Sequence, residues 1–129
     1  MILDTSFIID FLKNDESAVE KARKLKEENV PLATTTINVF ELWQGASDIK
    51  NEEKKSKILK FLSSIGLLGF DFESARDGGA IYSELRQKGK LIDPEDCMIA
   101  GIAKTNNRTL LTRNLKHFQN IHGLKVESY

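Results

Sequence analysis

The chain has 129 residues, 40% of them hydrophobic and 29% charged, with 19 basic side chains against 19 acidic ones. That length suits one domain spanning residues 1–129 with a core of its own, and the balanced charge announces no nucleic-acid partner, so any such binding rests on a local basic patch. No run approaches ~18 consecutive apolar residues, which excludes a transmembrane helix, and the start lacks the basic region and long apolar core of a signal peptide, so a cytoplasmic location and no membrane partner are expected.

Met1-Ile2-Leu3 reads as a short buried strand that ends at Asp4, with Thr5 and Ser6 behind it. The apolar run then resumes at helical spacing through Phe7, Ile8, Phe11 and Leu12. Glu16 to Glu28 carries Ala18, Val19, Ala22 and Leu25, the pattern of an amphipathic helix closed by Asn29. Val30 to Thr34 predicts a strand, with Pro31 at its entry where no ladder donor is needed. A helix follows from Ile37 through Glu41 to Trp43, and Gly45 either tightens its packing or begins its end. Glu52 to Ile65 predicts a further amphipathic helix stopped by Gly66, and Leu67 to Phe70 a short strand. Glu73 to Lys88 reads as a helix with Ala75, Ala80, Ile81 and Leu85 inward and Gly89 beyond its end.

Asp93-Pro94-Glu95-Asp96 is a strong helix start: a capping acid, Pro at the first helical position, and two acids in the first turn. The helix behind it, Cys97 to Ala103, is apolar nearly all round and therefore buried. Cys97, the only cysteine, can form no internal disulfide, is too little for a zinc site, and reads as an inert buried thiol. Arg108 to Thr112 and Leu124 to Glu127 predict the last two strands. Short apolar strands alternating with helices imply a parallel sheet of four to five strands covered on both faces, a three-layer α/β/α sandwich.

In such a sheet all strand C-termini share one edge, where ligands bind. Asp4, Glu41 and Asn114 project there, and Asp96 joins them if the fold brings its helix N-terminus to the same edge. Clustered carboxylates repel unless a cation neutralises them. Hard oxygen ligands suit Mg²⁺ or Mn²⁺, which activate water and support displacement at phosphorus. Each acid also has a plain structural reading: Asp4 as a helix cap, Glu41 as the return half of a capping box from Asn38, Asp96 as a first-turn acid favouring the helix dipole.

Leu3-Asp4-Thr5-Ser6, Thr36 to Glu41-Leu42 with Gly45, Gly89, Ile92, Pro94-Glu95-Asp96 with Ile99-Ala100, Leu111-Thr112-Arg113-Asn114 before His117-Phe118, and Gly123 to Val126 together resemble PIN-domain proteins, specifically the VapC toxins of type II toxin–antitoxin systems. The resemblance covers essentially the whole chain. It implies a PIN-like α/β/α fold and a Mg²⁺- or Mn²⁺-dependent endoribonuclease that leaves a 5′-phosphate and a 3′-hydroxyl. It makes Asp4, Glu41 and Asp96 the acidic triad, with Asp4 and Asp96 as the main metal ligands and Glu41 completing the site directly or through water. Asn114 falls where many relatives carry a fourth acid. Thr112 and Ser6 would orient Asp4. The implied partners are RNA and a small VapB-like antitoxin, with the toxin a homodimer that builds a heterotetramer or larger assembly.

Lys88, Lys90, Arg113 and Lys116 flank this region and are the candidate RNA-phosphate contacts, while Phe40, Trp43 and Phe61-Leu62 are candidate apolar surfaces for the antitoxin. His117 reads as a packing or turn residue and His122 carries no role. Two other functions compete: a PIN-type nuclease of RNA processing outside toxin–antitoxin systems, and a non-catalytic RNA- or protein-binding module. A phospho-receiver domain fits poorly, because Asp4 has no acidic neighbour before it.

Overall fold

The computed structural model describes residues 1–48 and 50–129. Strand β1 (Ile2–Leu3) runs straight into helix α1 (Thr5–Leu12), followed by α2 (Glu16–Glu27), β2 (Ala33–Thr35), α3 (Thr36–Asp48) and α4 (Glu52–Leu62). Then come β3 (Gly66–Leu68), α5 (Phe72–Gln87), α6 (Pro94–Thr105), β4 (Leu110–Leu111), α7 (Leu115–Phe118) and β5 (Val126–Glu127). The strands form one five-stranded sheet in the order β3-β2-β1-β4-β5, every neighbouring pair parallel.

The period of two along each strand divides the core into two layers. Ile2 and Leu110 face α5, α6 and α7, where they pack with Ile81, Leu85, Ile99, Ile102 and Phe118. Their neighbours Leu3 and Leu111 face the other way, onto Phe7, Ile8, Leu25, Leu42 and Ile58 of α1 to α4. The three-layer sandwich read from the alternation of strands and helices is therefore the fold, with β1 at its centre.

Some boundaries differ from the sequence reading for identifiable reasons. Strand β2 starts at Ala33, because the Val30 N–H donates to Leu25 O at 2.9 Å to close α2, and Pro31 has no N–H to pair. Gly66 lies inside β3, paired with Ala33, and α4 ends before it at Leu62. Gly45 neither tightens α3 nor ends it: the helix runs on to Asp48, and a Cβ at Gly45 would meet nothing within 4 Å. In α5 the buried face is Ser74, Gly78, Ile81 and Leu85, while Ala75 and Ala80 face solvent. That face is small because α5 and α6 nearly touch. A Cβ added at Gly101 of α6 would overlap Ser74 O and lie 2.7 Å from Gly78 N. Among the described residues, no helix is long and apolar enough to cross a membrane.

Candidate active site

Asp4 directly follows β1, and its N–H still pairs with Leu111 O at 3.0 Å, so its Cα is held in the sheet while its side chain leaves at the edge. The residue is buried, and its carboxylate accepts three hydrogen bonds. Thr112 Oγ1 donates to Oδ2 at 2.6 Å, Ser6 Oγ donates to Oδ2 at 3.1 Å, and Asn38 Nδ2 donates to Oδ1 at 3.1 Å. A carboxylate offers about four lone-pair sites, so Oδ1 keeps one open. Thr112 and Ser6 thus stand where the sequence reading put them, against Asp4. Asp4 is not a side-chain cap of α1.

Asn38 is not the start of a capping box. Thr35 caps α3, its Oγ1 accepting from Asn38 N–H at 3.1 Å, and the Asn38 side chain turns inward. Its Nδ2 donates to Thr5 Oγ1 at 2.9 Å as well as to Asp4, and Thr5 Oγ1 donates to Glu41 Oε1 at 3.2 Å. A chain of polar contacts therefore runs from Asp4 through Asn38 and Thr5 to Glu41. Glu41 lies a turn and a half into α3, half-buried. Burial, then the nearby charges of Asp4, Asp96 and Glu95, push its carboxyl up to about 7 against the pull of Thr5.

Asp96 sits in the first turn of α6, whose antiparallel course over β4 returns its N-terminus to the same edge. Its Oδ2 lies 2.9 Å from His117 Nδ1 on α7. Burial raises the Asp96 carboxyl, His117 pulls it back, and Asp4 raises it again. The charge of Asp4 reaches both Glu41 and Asp96, and that of Asp96 reaches Glu41, which puts the three acids in one electrostatic neighbourhood. They do not close into a cage: among the described residues, no three His, Cys, Asp or Glu side chains are close enough to enclose a metal ion alone. Each is drawn towards its own hydrogen-bond donor. This open arrangement fits a hexahydrated-type cation such as Mg²⁺, which keeps several waters and uses one or two carboxylates plus a substrate phosphate. The raised Glu41 carboxyl reflects burial first and the neighbouring acids second, and a cation would relieve the second.

Asn114 is exposed at the start of α7, its N–H donating to Thr112 Oγ1 at 3.0 Å. With Arg113, Lys116 and His117 it lines one shallow depression. The four cations of the sequence reading separate. Lys116 is exposed there and has no ion pair among the described residues. Arg113 is committed to Asp10 and Asp15, both at 3.1 Å, with its guanidinium 5.0 Å above the Tyr129 ring. Lys90 reaches Asn120 at 3.4 Å. Lys88 pairs with Glu84 at 2.8 Å, and Glu84 senses Lys104, which lies about 12 Å along α6 from Asp96.

Two residues that touch the acids, Asn38 and His117, had only structural roles in the sequence reading, a capping-box start and a packing or turn residue. His117 comes three residues after Asn114, on the same face of a single helical turn, and that spacing was the available signal. Asn38 is a polar residue in an apolar run, three before Glu41 and so on its face. Phe40 and Trp43 are exposed on α3, whereas Phe61 and Leu62 pack against the core of the α1–α4 layer.

A parallel five-stranded α/β/α sandwich with acids gathered at the strand C-termini is the architecture of a PIN domain. The PIN domain family model matches residues 1–124, and the chain belongs to that family, among its VapC-type members. It is 30% identical over 129 residues to the tRNA(fMet)-specific endonuclease VapC of Shigella flexneri, covering 99% of this chain and 96% of that one. It is 31% identical over 129 residues to ribonuclease VapC2 of Rickettsia felis, again with 99% and 96% covered. The crystal structure of VapBC2 from Rickettsia felis bound to a promoter DNA fragment superposes with a TM-score of 0.91 at 32% identity, over 99% of this chain and 97% of that chain. DNA-bound VapBC from Salmonella typhimurium gives a TM-score of 0.88 at 29% identity, over 98% and 96%.

Proposed function

We propose that this chain is an endoribonuclease of the VapC type, the toxin of a toxin–antitoxin pair, acting on RNA with Mg²⁺ or Mn²⁺ in the cytoplasm. The observation that carries the reading is that the charge of Asp4 reaches both Glu41 and Asp96, acids distant from it in sequence, and raises the carboxyl of each. The named relatives are ribonucleases, and the superposed structures are VapBC complexes.

Asp4 and Asp96 would hold the ion, and Glu41 would complete its surroundings directly or through water. When bound, the ion supplies a water of lowered pKa and neutralises charge building at phosphorus. The chain's own residues do the positioning. Thr112, Ser6 and Asn38 fix the Asp4 carboxylate with one lone pair outward, and Thr5 fixes Glu41 Oε1 so that Oε2 stays available. Lys116 and the depression around Asn114 receive the RNA backbone. Water adds to phosphorus, the bond to the 3′ oxygen breaks, and the products carry a 5′-phosphate and a 3′-hydroxyl. Single-stranded or looped RNA, whose bases can splay out, suits so shallow a site better than a duplex. A VapB-like antitoxin restrains the enzyme by covering the acids, an Arg–carboxylate pair being the chemistry best suited to do so. The toxin works as a homodimer, in a heterotetramer or larger complex with that antitoxin.

The test is cleavage of an RNA panel that includes tRNA, with Mg²⁺ or Mn²⁺ and with excess EDTA, for wild type and Asp96→Asn. Cleavage should require the metal and fall at least 100-fold in the variant, while far-UV circular dichroism stays unchanged. Equal cleavage in EDTA, or full activity of Asp96→Asn, overturns the reading.

A further inference from the structure

We propose that His117 is a positioning residue for Asp96, holding one carboxylate oxygen so that the other faces the divalent ion of the proposed reaction. The inference rests on the nuclease reading above and adds to it a residue outside the acidic triad.

Helix α7 is a single turn, and Phe118 anchors it. That ring is 1% exposed and lodged against the α5–α6 core. With Phe118 turned inward, its neighbour His117 is turned out towards the N-terminus of α6. There its Nδ1 stands 2.9 Å from Asp96 Oδ2, with the Asp96 side chain only 14% exposed and the imidazole 49% exposed. An ionised carboxylate can only accept, so Nδ1 carries the proton, and it does so whether the ring is neutral or cationic. Among the described residues Nε2 has no partner.

An ordinary surface ion pair contributes little. This pair differs in that one partner is largely buried and the other sits on an anchored turn. The same six-residue segment also supplies Thr112 to Asp4, so residues 112–117 brace two of the three acids at once. The carboxylate torsion of an aspartate is broad and roughly two-fold. With Oδ2 tied to His117, Oδ1 is the oxygen presented at the edge; without that tie, the group rotates freely between the two. Removing a partner that orients a metal ligand costs typically 10–100-fold in affinity.

The experiment titrates metal-free protein with Mn²⁺ by calorimetry, for wild type, His117→Ala, His117→Gln, His117→Asn and Asp96→Asn. Ala and Gln should weaken Mn²⁺ binding by about tenfold or more. Asn, whose amide nitrogen stands where Nδ1 stood, should restore most of it. Long-range ¹H–¹⁵N spectra of the metal-free wild type, which need no variant to fold, should show His117 protonated at Nδ1. Wild-type Mn²⁺ affinity in His117→Ala, or an imidazole protonated at Nε2 alone, overturns the assignment. Undiminished binding in Asp96→Asn would remove the nuclease reading itself, and binding lost in Asp96→Asn but kept in His117→Ala removes only the role of His117.

Discussion

Asn38 Nδ2 donates to both Asp4 Oδ1 and Thr5 Oγ1, so one fully buried amide joins the acid after β1 to the acid inside α3. Its Oδ1 in turn accepts from Thr35 Oγ1 at 2.6 Å, which uses both ends of the amide. Asn38→Ala leaves a buried carboxylate oxygen and two hydroxyls short of a partner. The expected cost is about 1–3 kcal/mol of stability, with RNA cleavage reduced because Asp4 and Glu41 lose their common tie. Urea unfolding and initial cleavage rates measured on the same preparation check this, and wild-type values in both would refute it.

The Glu41 carboxyl gives the metal-free protein a pH dependence of definite sign. Its folded value of about 7 lies above the ordinary 4.5. Between those two values the folded state keeps a proton that the unfolded chain has released. Stability must therefore fall as pH rises from about 4.5 to about 7 and level off above. Asp96, also raised, adds in the same direction. Thermal melts in EDTA across that window should show the decline in wild type and a shallower one in Glu41→Gln. Mn²⁺ affinity should move the opposite way, rising with pH as the competing proton leaves. A melting temperature that climbs through the window contradicts the assignment.

Gly101 is where α6 meets α5, and the atoms nearest a new Cβ there are backbone, which cannot swing aside. Gly101→Ala should cost about 1–3 kcal/mol or more by overpacking. Because α6 carries Asp96, cleavage should fall further than the loss of folded protein accounts for. Gly45→Ala, inside α3 but in open space, is the control and should leave activity unchanged while raising stability by about 0.5–1 kcal/mol. Denaturation midpoints with active-site titration separate the two effects.

Lys116 and Arg113 line the same depression but are not equivalent. Lys116→Ala should weaken RNA binding and lower the slope of log affinity against log salt by about one. The Arg113 charge is already balanced by Asp10 and Asp15. Arg113→Ala should therefore lower the melting temperature, by freeing Asp10 and the Tyr129 ring, more than it lowers RNA affinity. Fluorescence anisotropy at several salt concentrations decides; a full unit of slope lost on Arg113→Ala would reverse the ranking.

The layered fold was legible because apolar strands of two or three residues punctuate amphipathic helices, and that alternation admits few arrangements. Asp4, Glu41 and Asp96 could be proposed as a set because strand ends and the early turns of the helices beside them converge at one edge of a parallel sheet. Gly45 and Ala75 were misread because periodicity marks which residues could face inward, not how near the neighbouring backbone comes. Asn38 looked like the start of a capping box but is the return half of one from Thr35, its Oδ1 accepting from Thr35 while its Nδ2 reaches Asp4. His117 was read as a packing or turn residue because its contact with Asp96 depends on the burial of Phe118, a tertiary fact.

Strands of two or three residues make a floor only about 7–10 Å from rim to rim. Ile2, Leu3 and Asp4 are consecutive, one in each helical layer and one at the rim where the proposed site lies. Strain introduced at that rim has no length of ladder over which to dissipate. Durability and the proposed catalysis would therefore depend on the same handful of atoms, and selection for either one would act on both.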